Sequence, residues 1–83
     1  MYEIFFSDSA VKQLHKLDKQ MQQRIIAALE RIRIKPESYV KKLVGEPGFR
    51  LRVGDYRVLM DIDQGRLMIL VIKVGHRKDI YKD

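Results

Sequence analysis

An α+β fold with the element order βααβββ is what this sequence predicts, and three patterns predict it. Apolar residues recur at helical spacing between residues 10 and 32, alternate with charged ones between 49 and 62, and run uninterrupted from Leu67 to Ile72. Helices early and strands late segregate the two kinds of element, as in α+β domains.

Tyr2 to Phe6 is an aromatic and β-branched run that reads as a first strand, and Ser7-Asp8-Ser9 after it supplies a helix N-cap. Val11, Leu14 and Leu17 form one helical stripe, and Met21, Ile25, Ala28, Leu29 and Ile32 form a second. The break near Asp18 predicts two helices in a hairpin, and Lys35-Pro36 stops the second because the residue before proline is pushed out of the helical region. Pro36, Gly45, Pro47 and Gly48 mark residues 36–48 as a loop, with room for a short extended piece around Tyr39 to Val44. Phe49, Leu51 and Val53 then alternate with Arg50 and Arg52, Gly54-Asp55 makes a two-residue turn, and Tyr56, Val58, Met60 and Ile62 alternate with Arg57, Leu59 and Asp61. Gln64-Gly65 reads as a second two-residue turn into a last strand, Leu67 to Val74, whose two apolar faces predict a central position covered on both sides.

At 83 residues the chain has room for one small domain, expected to span residues 1–83. Its longest apolar run is far short of the roughly 20 residues that cross a bilayer, and the N-terminus lacks the pattern of a secretory signal. With no cysteine, disulfides and thiolate metal sites are excluded, and a cytoplasmic protein without membrane partners is expected. The net charge of +6 is unevenly placed: residues 31–57 hold eight basic and three acidic groups, and residues 66–83 hold five and two. Such a basic half suits a polyanionic partner, although basic domains without one are also common.

The turn at Gly54-Asp55 pairs Val53 with Tyr56 and sets Arg52 opposite Arg57, with Arg50 two residues along on the same face. Like charges directly opposite are unfavourable, so either an anion compensates or the guanidiniums splay into water. A two-residue turn at Gln64-Gly65 would further set Arg57 opposite Ile72, Leu59 opposite Leu70 and Asp61 opposite Met68, so the arginines grade into an apolar strip. That strip is covered by the chain's own tail or helices, which is the expectation for a monomer, or it docks a partner.

Asp61 and Asp63 have no third ligand at useful spacing, and no glycine-rich phosphate loop or nucleophile triad is present. No metal or other cofactor is therefore expected. If the chain cleaves a phosphodiester, arginines must stabilise the charge that builds on the phosphoryl oxygens. That favours RNA, whose 2′-hydroxyl is a nucleophile already held beside the phosphate.

Three segments resemble a known family: Lys42-Leu43-Val44-Gly45, the hairpin Phe49-Arg50-Leu51-Arg52-Val53-Gly54-Asp55-Tyr56-Arg57-Val58, and the end Val71-Ile72-Lys73-Val74-Gly75-His76-Arg77 with Tyr81. Together, in order and over essentially the whole chain, they look like the RelE/ParE superfamily of toxins from prokaryotic toxin–antitoxin systems. The resemblance implies a RelE-like fold, a helical hairpin packed on a mostly antiparallel four-stranded sheet. It also implies a type II toxin that cleaves messenger RNA in the ribosomal A site. On that basis the catalytic positions are Arg50, Arg52, Arg57, Arg77 and Tyr81, with Lys41, Lys42, His76 and Lys78 as further RNA contacts. Several nuclease relatives have lysines where this chain has Arg50 and Arg52, and a guanidinium is a very poor general base. The base is left open between Tyr81, His76 and the ribosome. The implied protein partner is an acidic RelB-like antitoxin that covers Leu59, Met68, Leu70 and Ile72 and displaces the tail, with DNA contacted only through the antitoxin complex. The same superfamily supplies the alternatives, a ParE-like DNA gyrase inhibitor or an inactive antitoxin-binding module.

Overall fold

The computed structural model describes residues 1–80. Strand β1 (Glu3–Phe6) leads into helices α1 (Asp8–His15) and α2 (Lys19–Ile32), a single 3₁₀ turn at Pro36–Ser38, and strands β2 (Lys41–Lys42), β3 (Phe49–Val53), β4 (Tyr56–Asp63) and β5 (Met68–His76). The helix starts fall at the capping residues. Ser7 Oγ accepts the Ala10 N–H at 3.1 Å, and Asp18 Oδ1 accepts the Met21 N–H at 2.8 Å. Asp18 thus divides the two helices, as the broken stripe predicts.

The sheet has five strands in the order β1-β5-β4-β3-β2, all neighbours antiparallel except the parallel pair β1 and β5. The expectation of four strands is corrected by one: Lys41 and Lys42 pair with Arg50 and Phe49 and so extend the sheet beyond β3. Both helices pack on one face. Ile25, Leu29 and Ile32 of α2, with Ala10 and Leu14 of α1, bury against Leu51, Val53, Val58, Met60, Ile69, Val71 and Val74. Where β1 ends, helix α1 takes over the freed edge of β5: Ser7 Oγ donates to the Ile72 carbonyl at 2.8 Å and Gln13 Oε1 accepts the Val74 N–H at 2.7 Å.

The β3–β4 hairpin has the expected register, with Val53 across from Tyr56 and Arg52 across from Arg57. Gly54 at φ +59, followed by a residue without positive φ, fits a type II′ turn, which requires glycine at its first central position. The β4–β5 register differs from expectation. Asp63 pairs with Met68, so the turn has four residues; Gly65 stays out of the left-handed region while Leu67 adopts it at φ 53, and Asp63 Oδ1 accepts the Arg66 N–H at 3.0 Å. Asp61 therefore faces Leu70, and an irregularity at Leu59/Met60 shifts the rest, so that Leu59 faces Lys73 and Arg57 faces Gly75. The pairings of Arg57 with Ile72, Leu59 with Leu70 and Asp61 with Met68 are all replaced.

The outer face of the sheet carries no helix. Phe5, Leu70 and Ile72 are each about two-fifths exposed there, so the expected cover on both sides of β5 exists on one side only. Among the described residues, self-covering comes from the 43–48 loop, which borders Leu59 and Ile72, and from the chain end: after β5 the backbone turns, with the Asp79 and Ile80 N–H groups donating to the His76 carbonyl, and Ile80 is buried against Gly75. No described helix is long and apolar enough to cross a membrane.

Candidate active site

The outer face is a grid set by the pairings. One row reads Lys41, Arg50, Leu59 and Lys73, and the next reads Arg52, Arg57 and Gly75. At its β2 side, Tyr39, Lys41, Arg50 and Arg52 line one cleft of about 130 Å³. The 3₁₀ turn ends beside Tyr39, which leaves its ring half-exposed at the mouth. A ring beside two guanidiniums and an ammonium is suited to hold a phosphate and stack the adjoining base.

The expected catalytic residues divide into distinct environments. Arg50 and Arg52 share the cleft, and Lys41 joins them from β2. Lys42 is exposed but paired with Phe49, whose partner Met60 faces the core, so its position belongs to the helix side of the sheet. Arg57 is buried, its Nη1 donating to the Gly54 and Tyr56 carbonyls at 2.9 Å each. Turn carbonyls, rather than an external anion, thus satisfy that nitrogen and relieve the Arg52–Arg57 pairing. Arg77 is exposed at the same end of the sheet, where its N–H donates to the Asp55 carbonyl at 2.8 Å and its Nε lies 3.9 Å from Asp55 Oδ1. Tyr81 lies outside the described residues.

His76 sits edge-on to Tyr56 with ring centroids 5.4 Å apart, and its Nδ1 accepts the Lys78 N–H at 3.1 Å. Its pairing with Tyr56, which in turn lies across from Val53, places His76 on the helix side of the sheet, the face opposite the row of Arg52 and Arg57. Lys78 is exposed beside it.

The apolar strip is present with a changed layout. Leu59 and Ile72 border a pocket that Ile80 also lines, Leu70 is open beside Phe5, and Met68 is half-buried between Glu3 and Asp63 at the far end. Two features went unmarked in the sequence. Tyr39 reads in the sequence as the start of a short extended piece in a loop, without a functional role; its distance of two residues from Lys41 is the available signal. Phe5 joins the strip solely through the parallel pairing with Leu70, which no local pattern announces. Among the described residues no three His, Asp or Glu side chains cluster as metal ligands would.

Residues 4–81 match the family model of the ParE toxin of the type II toxin–antitoxin system, parDE. Toxin RelG of Mycobacterium tuberculosis is 33% identical over 88 residues, covering 98% of this chain and 97% of the relative. The chain belongs to the RelE/ParE superfamily of type II toxins. Among solved structures, the toxin–antitoxin complex RelBE2 of Mycobacterium tuberculosis matches with a TM-score of 0.83 and 30% identity, over 92% of this chain and 98% of that one. The intact RelBE complex of Escherichia coli matches with a TM-score of 0.76 and 26% identity, over 92% and 96%. The expected RelE fold is thus observed, and both related structures are of a toxin with its antitoxin. As a RelE-like toxin, this chain presents its arginine cleft on the sheet face that the helices leave open.

Proposed function

We propose that this toxin is a ribosome-dependent, metal-independent endoribonuclease that cleaves messenger RNA in the A site and so stops translation. The observation that carries the reading is the cleft in which Arg50, Arg52 and Lys41 meet beside Tyr39. The 2′-oxygen attacks the adjoining phosphorus and the bond to the 5′-oxygen breaks, leaving a 2′,3′-cyclic phosphate and a 5′-hydroxyl. The proton lost by the 2′-hydroxyl is balanced by the one gained at the 5′-oxygen. Arg50 and Arg52 neither take nor give it; they hold the non-bridging oxygens and stabilise the charge added on attack. Tyr39 supports the base, Arg57 braces the hairpin turn through the Gly54 and Tyr56 carbonyls, and Arg77 contacts phosphate from the end of β5. Proton transfer falls to Tyr81, to His76 or to the ribosome. A cytoplasmic location follows from the substrate.

The partner in this reading is an acidic antitoxin laid over Phe5, Leu59, Leu70 and Ile72, where it displaces Ile80 from Gly75. The matching ParE family model favours a second reading, binding to DNA gyrase. The two are separated by a translating extract programmed with a message that carries one 2′-deoxynucleotide at the cut position. Cleavage of the all-ribose message and its loss at the deoxy position support the nuclease; cleavage of both overturns the internal-nucleophile mechanism, and two intact messages favour gyrase.

A further inference from the structure

A second cluster of arginines lies outside the cleft just described. Strand β2 pairs only with Phe49 and Arg50, so the Leu51–Val53 end of β3 forms an open sheet edge beneath α2. There Arg24, Ala27, Ala28 and Arg31 of α2, with Arg52, Val53 and Gly54, line a pocket of about 280 Å³. The four α2 residues are spaced i, i+3, i+4 and i+7, which puts them on one helix face. The two alanines keep the floor low, and the missing side chain at Gly54 leaves room for the Arg24 guanidinium, whose Nη2 is 3.3 Å from where a Cβ would stand. No carboxylate lines the pocket. Among the described residues, Arg24, Arg31 and Arg52 have neither an ion pair nor a side-chain hydrogen bond, although Arg33, Arg57, Arg66 and Arg77 all do.

We infer that this pocket binds a phosphate of the RNA backbone at a position other than the one that is cut. The inference rests on the ribonuclease reading for the identity of the RNA, and Arg52, which borders both clefts, links the two sites along one strand end. An acidic peptide would present carboxylates to the same guanidiniums, but an amphipathic one, as proposed for the antitoxin, also lays its apolar face against large apolar or aromatic side chains. This pocket offers only Ala27, Ala28, Val53 and Gly54, while such side chains stand on the outer sheet face. Several guanidiniums around a shallow floor of small side chains suit a phosphodiester, whose oxygens take paired N–H donors.

The test measures binding of the intact chain to a 2′-O-methyl oligoribonucleotide, which cannot be cut, and to vacant ribosomes, over a range of salt concentrations. Arg24 and Arg31 are exposed, so Arg24→Gln/Arg31→Gln leaves the core untouched, and a circular dichroism melt checks the fold. The expected result is a fall of about 1–2 in the slope of log affinity against log salt, on the oligonucleotide, on ribosomes, or on both, with Arg24→Lys/Arg31→Lys retaining most of the slope. An unchanged slope on both probes overturns the inference. So does a variant that loses affinity for polyglutamate while keeping it for RNA, since the pocket would then serve an acidic protein. The nuclease reading is scored separately, by cleavage of a translated message by the wild-type chain. Cleavage with no slope change removes this pocket alone, and a slope change without cleavage removes the nuclease reading alone.

Discussion

Arg52 and Arg57 face each other across one hairpin, yet their surroundings assign them opposite work. Arg57 is buried with Nη1 on two turn carbonyls, so Arg57→Ala removes bonds made by a charged donor and is expected to lower stability by about 2 kcal/mol. Arg52 is exposed, and Arg52→Ala is expected to stay within about 0.5 kcal/mol of the parent. If Arg52 stabilises the transition state, the same change lowers message cleavage by roughly 100-fold. Urea midpoints and extract cleavage rates, taken on both variants, check the division; equal stability losses would erase it. Gly54→Ala forces a side chain into φ +59 against the Arg24 guanidinium and is expected to cost about 1 kcal/mol. The pairing of these arginines was legible because a two-residue turn fixes the register around it. The burial of Arg57 was not, since its neighbour across the sheet, Gly75 with Ile80 packed against it, comes from the far end of the chain.

Elements delimited by local chemistry were the most readable. Asp18 separates the helices through one side-chain bond to the Met21 N–H, and Asp18→Ala is expected to lower the unfolding free energy by about 1 kcal/mol by denaturant titration. The β4–β5 register escaped because glycine at Gly65 suggested a tight turn, whereas the Asp63 carboxylate holds a wider one and Leu67 takes the left-handed conformation. A further irregularity at Leu59/Met60 then moved every pairing toward Gly75. The chain end follows from that shift: Gly75 lies opposite Arg57 and gives Ile80 a place to pack. Ile80→Ala is expected to cost about 2 kcal/mol and to speed proteolysis at the chain end, measured by urea midpoint and limited trypsin digestion. Unaltered digestion would mean that Ile80 does not hold the end down.

Across the described residues, the helices cover one face of the sheet and leave the other open. Part of the excess charge in the second half of the sequence gathers in one cleft, Lys41 with Arg50 and Arg52, and Arg31 and Arg52 join Arg24 of the first half in a second basic pocket beside α2. An exposed apolar patch of Phe5, Leu70 and Ile72 beside this charge suits an acidic, amphipathic antitoxin better than a bare nucleic acid. The measurement that most directly tests the central claim is mapping of messenger RNA 5′ ends after induction of the wild-type chain and of Arg50→Ala/Arg52→Ala. The account predicts new ends confined to translated regions with the wild type and absent with the variant. Intact messages accompanied by accumulating DNA breaks would contradict it and assign this toxin to gyrase.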